Sequence, residues 1–357
     1  MFFVRTYIRA YGLKTSKPRV LLWLCMCLTL WLSGCSLPER PKGKIHGGWL
    51  AEYARKSITS EHGENALRRM WDMGVRWIAV GPEVWMEDIQ KPDMTFGQHD
   101  EKLRKYIRLA RKQGFWVMLL PRIESPSFFR PPFPFRADIK MRHLVDWLLF
   151  YDNYERMLLH YAKLCEEEDV QILAVGLEYR GSIQAHPKRW VEMIRSVRQV
   201  YGGKLTYSAN WYKEFEEVTF WKELDYIGIG SYFEIAERAS ESVDSLLNRW
   251  IPIKNDLARI SAKYNKPILF TEVGYPSFAD AARYPWKWQG DRKRPLDLQH
   301  QADCYEAMFQ TFMAQEWFAG VFLWRFYTST EKLGLWEYSP EGKPAQEVIK
   351  RWFLQEE

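Results

Sequence analysis

Two glutamates, Glu178 and Glu272, each close an apolar run: Val170-Gln-Ile-Leu-Ala-Val-Gly-Leu-Glu and Lys266-Pro-Ile-Leu-Phe-Thr-Glu. Short apolar runs bounded by turn residues read as buried strands. A carboxylate at the C-terminal end of a parallel strand faces the open rim where barrel enzymes keep their chemistry. Two such carboxylates on facing strands supply a proton donor and a nucleophile, the pair that cleaves a glycosidic bond. One of them must hold a proton at working pH, and like-charge repulsion between the two raises its pKa. The structural alternative is that each glutamate pairs with a nearby arginine, with Arg180 and Arg122 as candidates.

The elements that must position this pair follow from the pattern of the chain. Candidate strands fall at 45–48, 75–80, 115–120, 171–176, 205–209, 226–230, 268–271 and 321–324. Amphipathic stretches of helical length separate them, at 64–73, 101–112, 145–167, 188–200, 243–263 and 299–316 among others. Strands alternating with helices predict a parallel sheet. Eight strands predict an α/β fold closed as a single (β/α)8 TIM barrel. Glu178 then ends strand four and Glu272 strand seven, on facing sides of the rim. Two stretches do not fit as barrel elements: 126–136, rich in proline and phenylalanine, and 276–295, which carries Trp286 and Trp288. Both are expected to be elaborated rim loops, where such barrels set specificity.

Other candidates follow from their places at strand ends. Trp49 and Trp85, after strands one and two, offer flat faces for sugar rings, and Trp324 offers a floor beneath the sugar at the cleavage point. Asn210, after strand five, suits sugar hydroxyls or caps a turn. Tyr232, after strand six, is placed to hydrogen-bond a strand-seven carboxylate. Arg122 and Glu124 follow strand three, and Glu124 is expected to pair with Arg122. Arg76 begins strand two, at the wrong end for catalysis, and a structural ion pair is expected for it.

In this order the motifs resemble glycoside hydrolase family 113. The resemblance runs from about His46 to Trp324. It rests on Gly176-Leu-Glu-Tyr, Trp190 with Ile194-Arg-Ser-Val-Arg-Gln-Val-Tyr-Gly, Lys204-Leu-Thr-Tyr-Ser-Ala-Asn-Trp, Phe220-Trp, Leu224-Asp-Tyr-Ile-Gly-Ile and Phe270-Thr-Glu-Val-Gly-Tyr. It implies a retaining β-mannanase-like enzyme with Glu178 as acid/base and Glu272 as nucleophile. Two positions depart from the family pattern. Leu177 stands where relatives carry a polar residue that binds the sugar 2-hydroxyl, and Arg122 stands where Lys or His is expected.

The N-terminus reads as an export signal. Arg5, Arg9, Lys14, Lys17 and Arg19 precede an apolar run, 20–32, of about 13 residues, shorter than the about 20 a membrane span needs. Leu32-Ser33-Gly34-Cys35 then resembles the bacterial lipobox, which implies cleavage before Cys35 and lipidation of its thiol. Residues 1–34 are expected to be removed, 35–43 to form a tether and 44–357 to form the barrel domain. The product is then an exported, bacterial cell-envelope protein held to the membrane by lipid only. Removal leaves 357 − 34 = 323 residues, and the net charge of +6 loses the signal's five cations, falling to about +1. Such a charge gives no argument for nucleic acid. Cys165 and Cys304 are left as a possible pair. No Cys/His cluster has zinc spacing, so neither metal nor other cofactor is expected.

The resulting expectation is a monomer acting on a β-linked, mannose-containing oligo- or polysaccharide. The alternatives are the same reaction on a different or decorated β-glycan, and a carbohydrate-binding surface lipoprotein that has lost turnover.

Overall fold

The structure, a computed structural model, describes residues 43–287, 294–331 and 333–355. Eight parallel strands close a barrel: β1 (Ile45–Ala51), β2 (Trp77–Val80), β4 (Trp116–Leu119), β6 (Ile172–Leu177), β7 (Lys204–Asn210), β8 (Ile227–Gly230), β9 (Ile268–Val273) and β10 (Phe318–Tyr327). The chain therefore adopts the (β/α)8 fold that its alternation predicts. Each expected strand is present, with its ends shifted by a few residues. Two further strands form a separate ribbon, β3 (Glu83–Trp85) with β5 (Arg122–Glu124), following β2 and β4. At three residues each, they are too short to give a periodic signal.

The strands are apolar on both sides because both sides are covered, as in parallel sheets generally. All six residues of β6 are buried. Along β7, Tyr207 points outward to the helix layer, where its ring meets Trp190 and Phe220 at 5.5 Å each. Its neighbour Ser208 points inward and hydrogen-bonds Thr271 Oγ1 of β9 at 2.7 Å. Asn210 belongs to the same inward set, which carries it to the rim.

The outer helices carry their own start and stop signals. The helix Val243–Tyr264 opens with Ser242, whose hydroxyl accepts from the Ser245 amide, and stops at Asn265 in the left-handed conformation (φ 53°). Leu298–Phe312 opens with Asp297, which accepts from the His300 amide at 2.9 Å. The C-terminal helix Pro344–Leu354 went unread in the sequence; Pro344 stands at its first turn. Asp225, within one of the family-like motifs, ties strand beginnings together: it accepts from the Leu205 amide at 2.8 Å and pairs with Lys204 at 3.0 Å and with Arg198. Cys165 and Cys304 are each free and buried. Arg76 lies over the Trp71 ring at 4.0 Å and donates to the Trp71 carbonyl at 2.8 Å, a structural position away from the rim.

Among the described residues no helix is long and apolar enough to cross a membrane. Cys35 and the expected signal segment lie outside the described residues.

Candidate active site

Strict alternation cannot place the two glutamates. Leu177 faces inward and lines the rim pocket, while Gly176 meets Tyr207 and Trp190 on the helix side. The next residue, Glu178, would point back toward the helices. The extra residue that β6 takes between Ala174 and Leu177 relative to β7 has already set Leu177, level with Ser208, on the inward face. What redirects Glu178 is its left-handed backbone (φ 57°). A non-glycine residue held in that region stores strain, which the surrounding structure must hold in place. On β9 the register against β8 skips Thr271, so that Thr271 and Glu272 do not fall on opposite faces. Such bulges commonly re-aim a side chain beside an active site. Gly274 follows closely because Trp324 packs against the chain there; a Cβ would lie 2.3 Å from the Trp324 carbonyl oxygen.

The result is a pocket of about 450 Å³ that holds Glu178, Glu272, Asn210, Tyr232, Trp324 and Arg122 together. Six of the eight candidate catalytic and binding residues thus converge. The pocket is also lined by Arg136, Trp211, Trp286 and Arg325, none of which sequence reasoning assigned to the site. Arg136 and Trp286 come from the two expected rim loops. A second chamber of about 680 Å³ shares Arg122, Trp324 and Arg325 with the first. Trp85 belongs there, 44% exposed at the end of the β3–β5 ribbon, away from the glutamates.

Burial raises the pKa of both carboxyls. Glu178 is pushed up by desolvation, opposed by the Arg136 charge and by the Asn210 amide, whose Nδ2 donates to Oε1 at 2.8 Å. Glu272 is pushed up to about 7, first by desolvation and then by the charge of Glu178; Arg122, Arg136 and a hydrogen bond from Tyr232 oppose this. Glu272 thus feels the charge of Glu178 in a pocket where burial disfavours the ionised form of both.

Several expectations change. Trp49 does not present a face for stacking: it is 5% exposed, donates its indole N–H to the Thr271 carbonyl at 2.9 Å, and meets Trp324 edge-on at 5.6 Å. Its edge supports Trp324, and it also lines the second chamber. Asn210 spends its amide N–H on Glu178, and its Oδ1 accepts from the Tyr212 amide at 2.8 Å, so it both caps a turn and holds a carboxylate. Neither glutamate pairs with Arg180, which bonds Glu217 instead (Nε to Oε2, 2.6 Å). Glu124 does pair with Arg122 as expected, loosely at 3.9 Å, but its closer partner is Arg136 at 2.7 Å. Arg136 was missed because its partner and its pocket come from other segments of the chain.

Among the described residues, no group of three His, Cys, Asp or Glu side chains is arranged to hold a metal ion. The polar groups in the pocket are those that carbohydrate chemistry uses: paired carboxyls, hydroxyl and amide donors, and indole rings.

The comparisons agree with this geometry. A search of curated protein sequences found no match. Among solved structures, the family-113 β-mannanase of Alicyclobacillus acidocaldarius, in complex with ManMIm, is 25% identical, with a TM-score of 0.75 over 88% of this chain and 98% of that one. A family-113 β-1,4-mannanase is 27% identical, with a TM-score of 0.75 over 87% and 99%. The Ruminococcus gnavus β-glucuronidase, at 13% identity and TM-score 0.59 over 88% of this chain and 50% of that one, shares the fold. Residues 48–334 match Glycoside Hydrolase Family 113 itself. With a barrel that carries the paired carboxyls at the ends of strands four and seven, the chain belongs to glycoside hydrolase family 113 and is a glycoside hydrolase.

Proposed function

We propose that the protein is a retaining β-mannanase, with Glu272 as nucleophile and Glu178 as acid/base. The single observation that carries this reading is the meeting of two carboxyls, one buried and one half-buried, in one pocket lined by Trp324, where the charge of Glu178 helps raise Glu272. In a double displacement the ionised carboxylate attacks the anomeric carbon while the other donates its proton to the departing oxygen. Arg122, Arg136 and the Tyr232 hydrogen bond oppose the desolvation and the Glu178 charge that together push Glu272 up to about 7. Asn210 can only donate to Glu178 Oε1, because its own oxygen is occupied. The Glu178 proton therefore sits on Oε2, the oxygen free to meet the leaving group. After cleavage the same carboxylate takes a proton from water, which releases the sugar from Glu272.

The test is hydrolysis of β-mannan and aryl β-mannobiosides with anomeric configuration followed by NMR. Retention, loss of turnover in Glu272→Gln, and azide rescue of Glu178→Ala on an activated aryl glycoside are expected. Inversion, or full activity in either variant, overturns the assignment.

A second reading keeps the reaction and changes the sugar to one bearing an anionic substituent. Two observations favour it. Among the described residues Arg122 makes no side-chain hydrogen bond: its Nε is buried without an acceptor, its ion pair with Glu124 is a loose 3.9 Å, and it lies where the two chambers meet. A guanidinium fork without a close partner suits a carboxylate. Leu177 also removes a polar contact that a plain mannose unit would use. Including uronate-substituted β-glycans in the substrate panel decides between the two.

The protein is further proposed to be exported and lipid-anchored through Cys35, on the strength of the basic, apolar and lipobox-like segments at its N-terminus.

A further inference from the structure

We infer that Glu214 is a positioning residue for Glu178, holding both chain segments that flank the acid/base carboxyl; the inference rests on the glycosidase reading above. Glu214 opens a four-residue helix, Glu214–Glu217, just after β7, and it is fully buried. A buried carboxyl is costly unless its oxygens are satisfied. Here both are. The Tyr207 hydroxyl donates to Oε1 at 2.6 Å, and the Asn210 backbone amide donates to Oε2 at 2.7 Å.

Each of those donors leads to Glu178. Tyr207 has one hydroxyl proton and gives it to Glu214, so its oxygen faces the Tyr179 amide as an acceptor, at 2.7 Å. That amide belongs to the residue directly after Glu178 and helps hold the left-handed turn at φ 57°. On the other branch, Glu214 fixes the Asn210 backbone, and the Asn210 side chain reaches Glu178 Oε1 at 2.8 Å. One carboxyl thus ties the backbone after the acid to the side chain that orients it. Arg180 and Glu217 add a charged tie between the same two segments, farther out.

Nothing in packing alone asks for this residue. Among the described residues no Lys, Arg or His nitrogen forms an ion pair with Glu214, and an apolar residue would fill the site without the desolvation cost. Burial pushes its carboxyl up to about 8, against the two donors that favour its charged form. Such a tension is maintained where geometry matters more than stability.

A residue that positions a proton donor has a kinetic signature that a scaffold residue lacks. Substrates with poor leaving groups need the acid, and activated ones do not. The experiment compares kcat/KM for phenyl and 2,4-dinitrophenyl β-mannobiosides in the wild type, Glu214→Gln and Tyr207→Phe. We expect Glu214→Gln to lose about tenfold or more on the phenyl glycoside while staying within about twofold on the dinitrophenyl one. Tyr207→Phe should show the same asymmetry. An equal loss on both substrates, no loss on either, or loss of the folded state in both variants overturns the positioning role. A wild type inactive on both glycosides and on β-mannan overturns the β-mannanase reading and the inference with it. Activity without leaving-group dependence in the variants removes the inference alone.

Discussion

Replacing Glu272 with glutamine should make the protein more stable at alkaline pH, and the size of the effect follows from the pocket. Burial and the neighbouring Glu178 charge raise the Glu272 carboxyl from 4.5 to about 7. Between those values the folded state holds a proton that the unfolded chain has lost, so stability falls as pH rises. At about 1.4 kcal/mol per pH unit, this carboxyl costs about 3 kcal/mol by pH 7, and the cost stays constant above it. Glutamine keeps the shape and never ionises. Its stability relative to wild type should therefore climb by about 3 kcal/mol between pH 4 and pH 8. The climb also includes Glu178, which ionises at lower cost once its repelling partner is gone. Urea unfolding of both proteins across that pH range measures the difference directly. Parallel stability curves, or a wild type that gains on the variant as pH rises, would refute the claim that Glu272 is a desolvated carboxyl coupled to Glu178.

Other expectations concern the sugar and the anchor. Leu177→Asn should raise kcat/KM on a plain β-mannobioside by restoring a polar contact at the pocket wall; a loss of about tenfold, or about 1.4 kcal/mol, would instead show that Leu177 packs against a different or substituted sugar. Trp324→Ala should raise KM for β-mannan about tenfold or more, since it removes the flat apolar floor shared by both chambers; an unchanged KM would show that sugars bind elsewhere. Cys35→Ser should move the protein from the membrane fraction to the soluble fraction or leave an unprocessed precursor, and soluble, unmodified wild-type protein as the dominant form would contradict lipidation.

The barrel and the placement of Glu178 and Glu272 at its rim were legible in the sequence because both depend on local signals. Apolar runs such as 172–177 must be strands buried on both sides, and the residue closing each run must stand at the rim. Tyr232 was legible for the same reason: its place after strand six puts it next to strand seven in any closed barrel. What lay beyond the sequence depends on relations between distant segments. From the inward-facing Leu177, alternation would send Glu178 toward the helices; the left-handed turn at φ 57° reverses it. The three-residue ribbon of β3 and β5 sets Trp85 opposite Glu124, so that Trp85 and Arg122 both line the second chamber but of the two only Arg122 also lines the pocket of the glutamates. Glu214-Phe-Glu-Glu reads as a solvated acidic turn, yet closure of the barrel buries its first carboxyl beneath Asn210 and leaves its last to Arg180. Trp49 and Trp324 are equivalent as sequence signals, being tryptophans at rim ends. Closure makes β1 and β10 neighbours, and one ring must then lie under the other. Local periodicity specifies which residues reach the rim, whereas strand register and loop packing decide which way they face and what they touch.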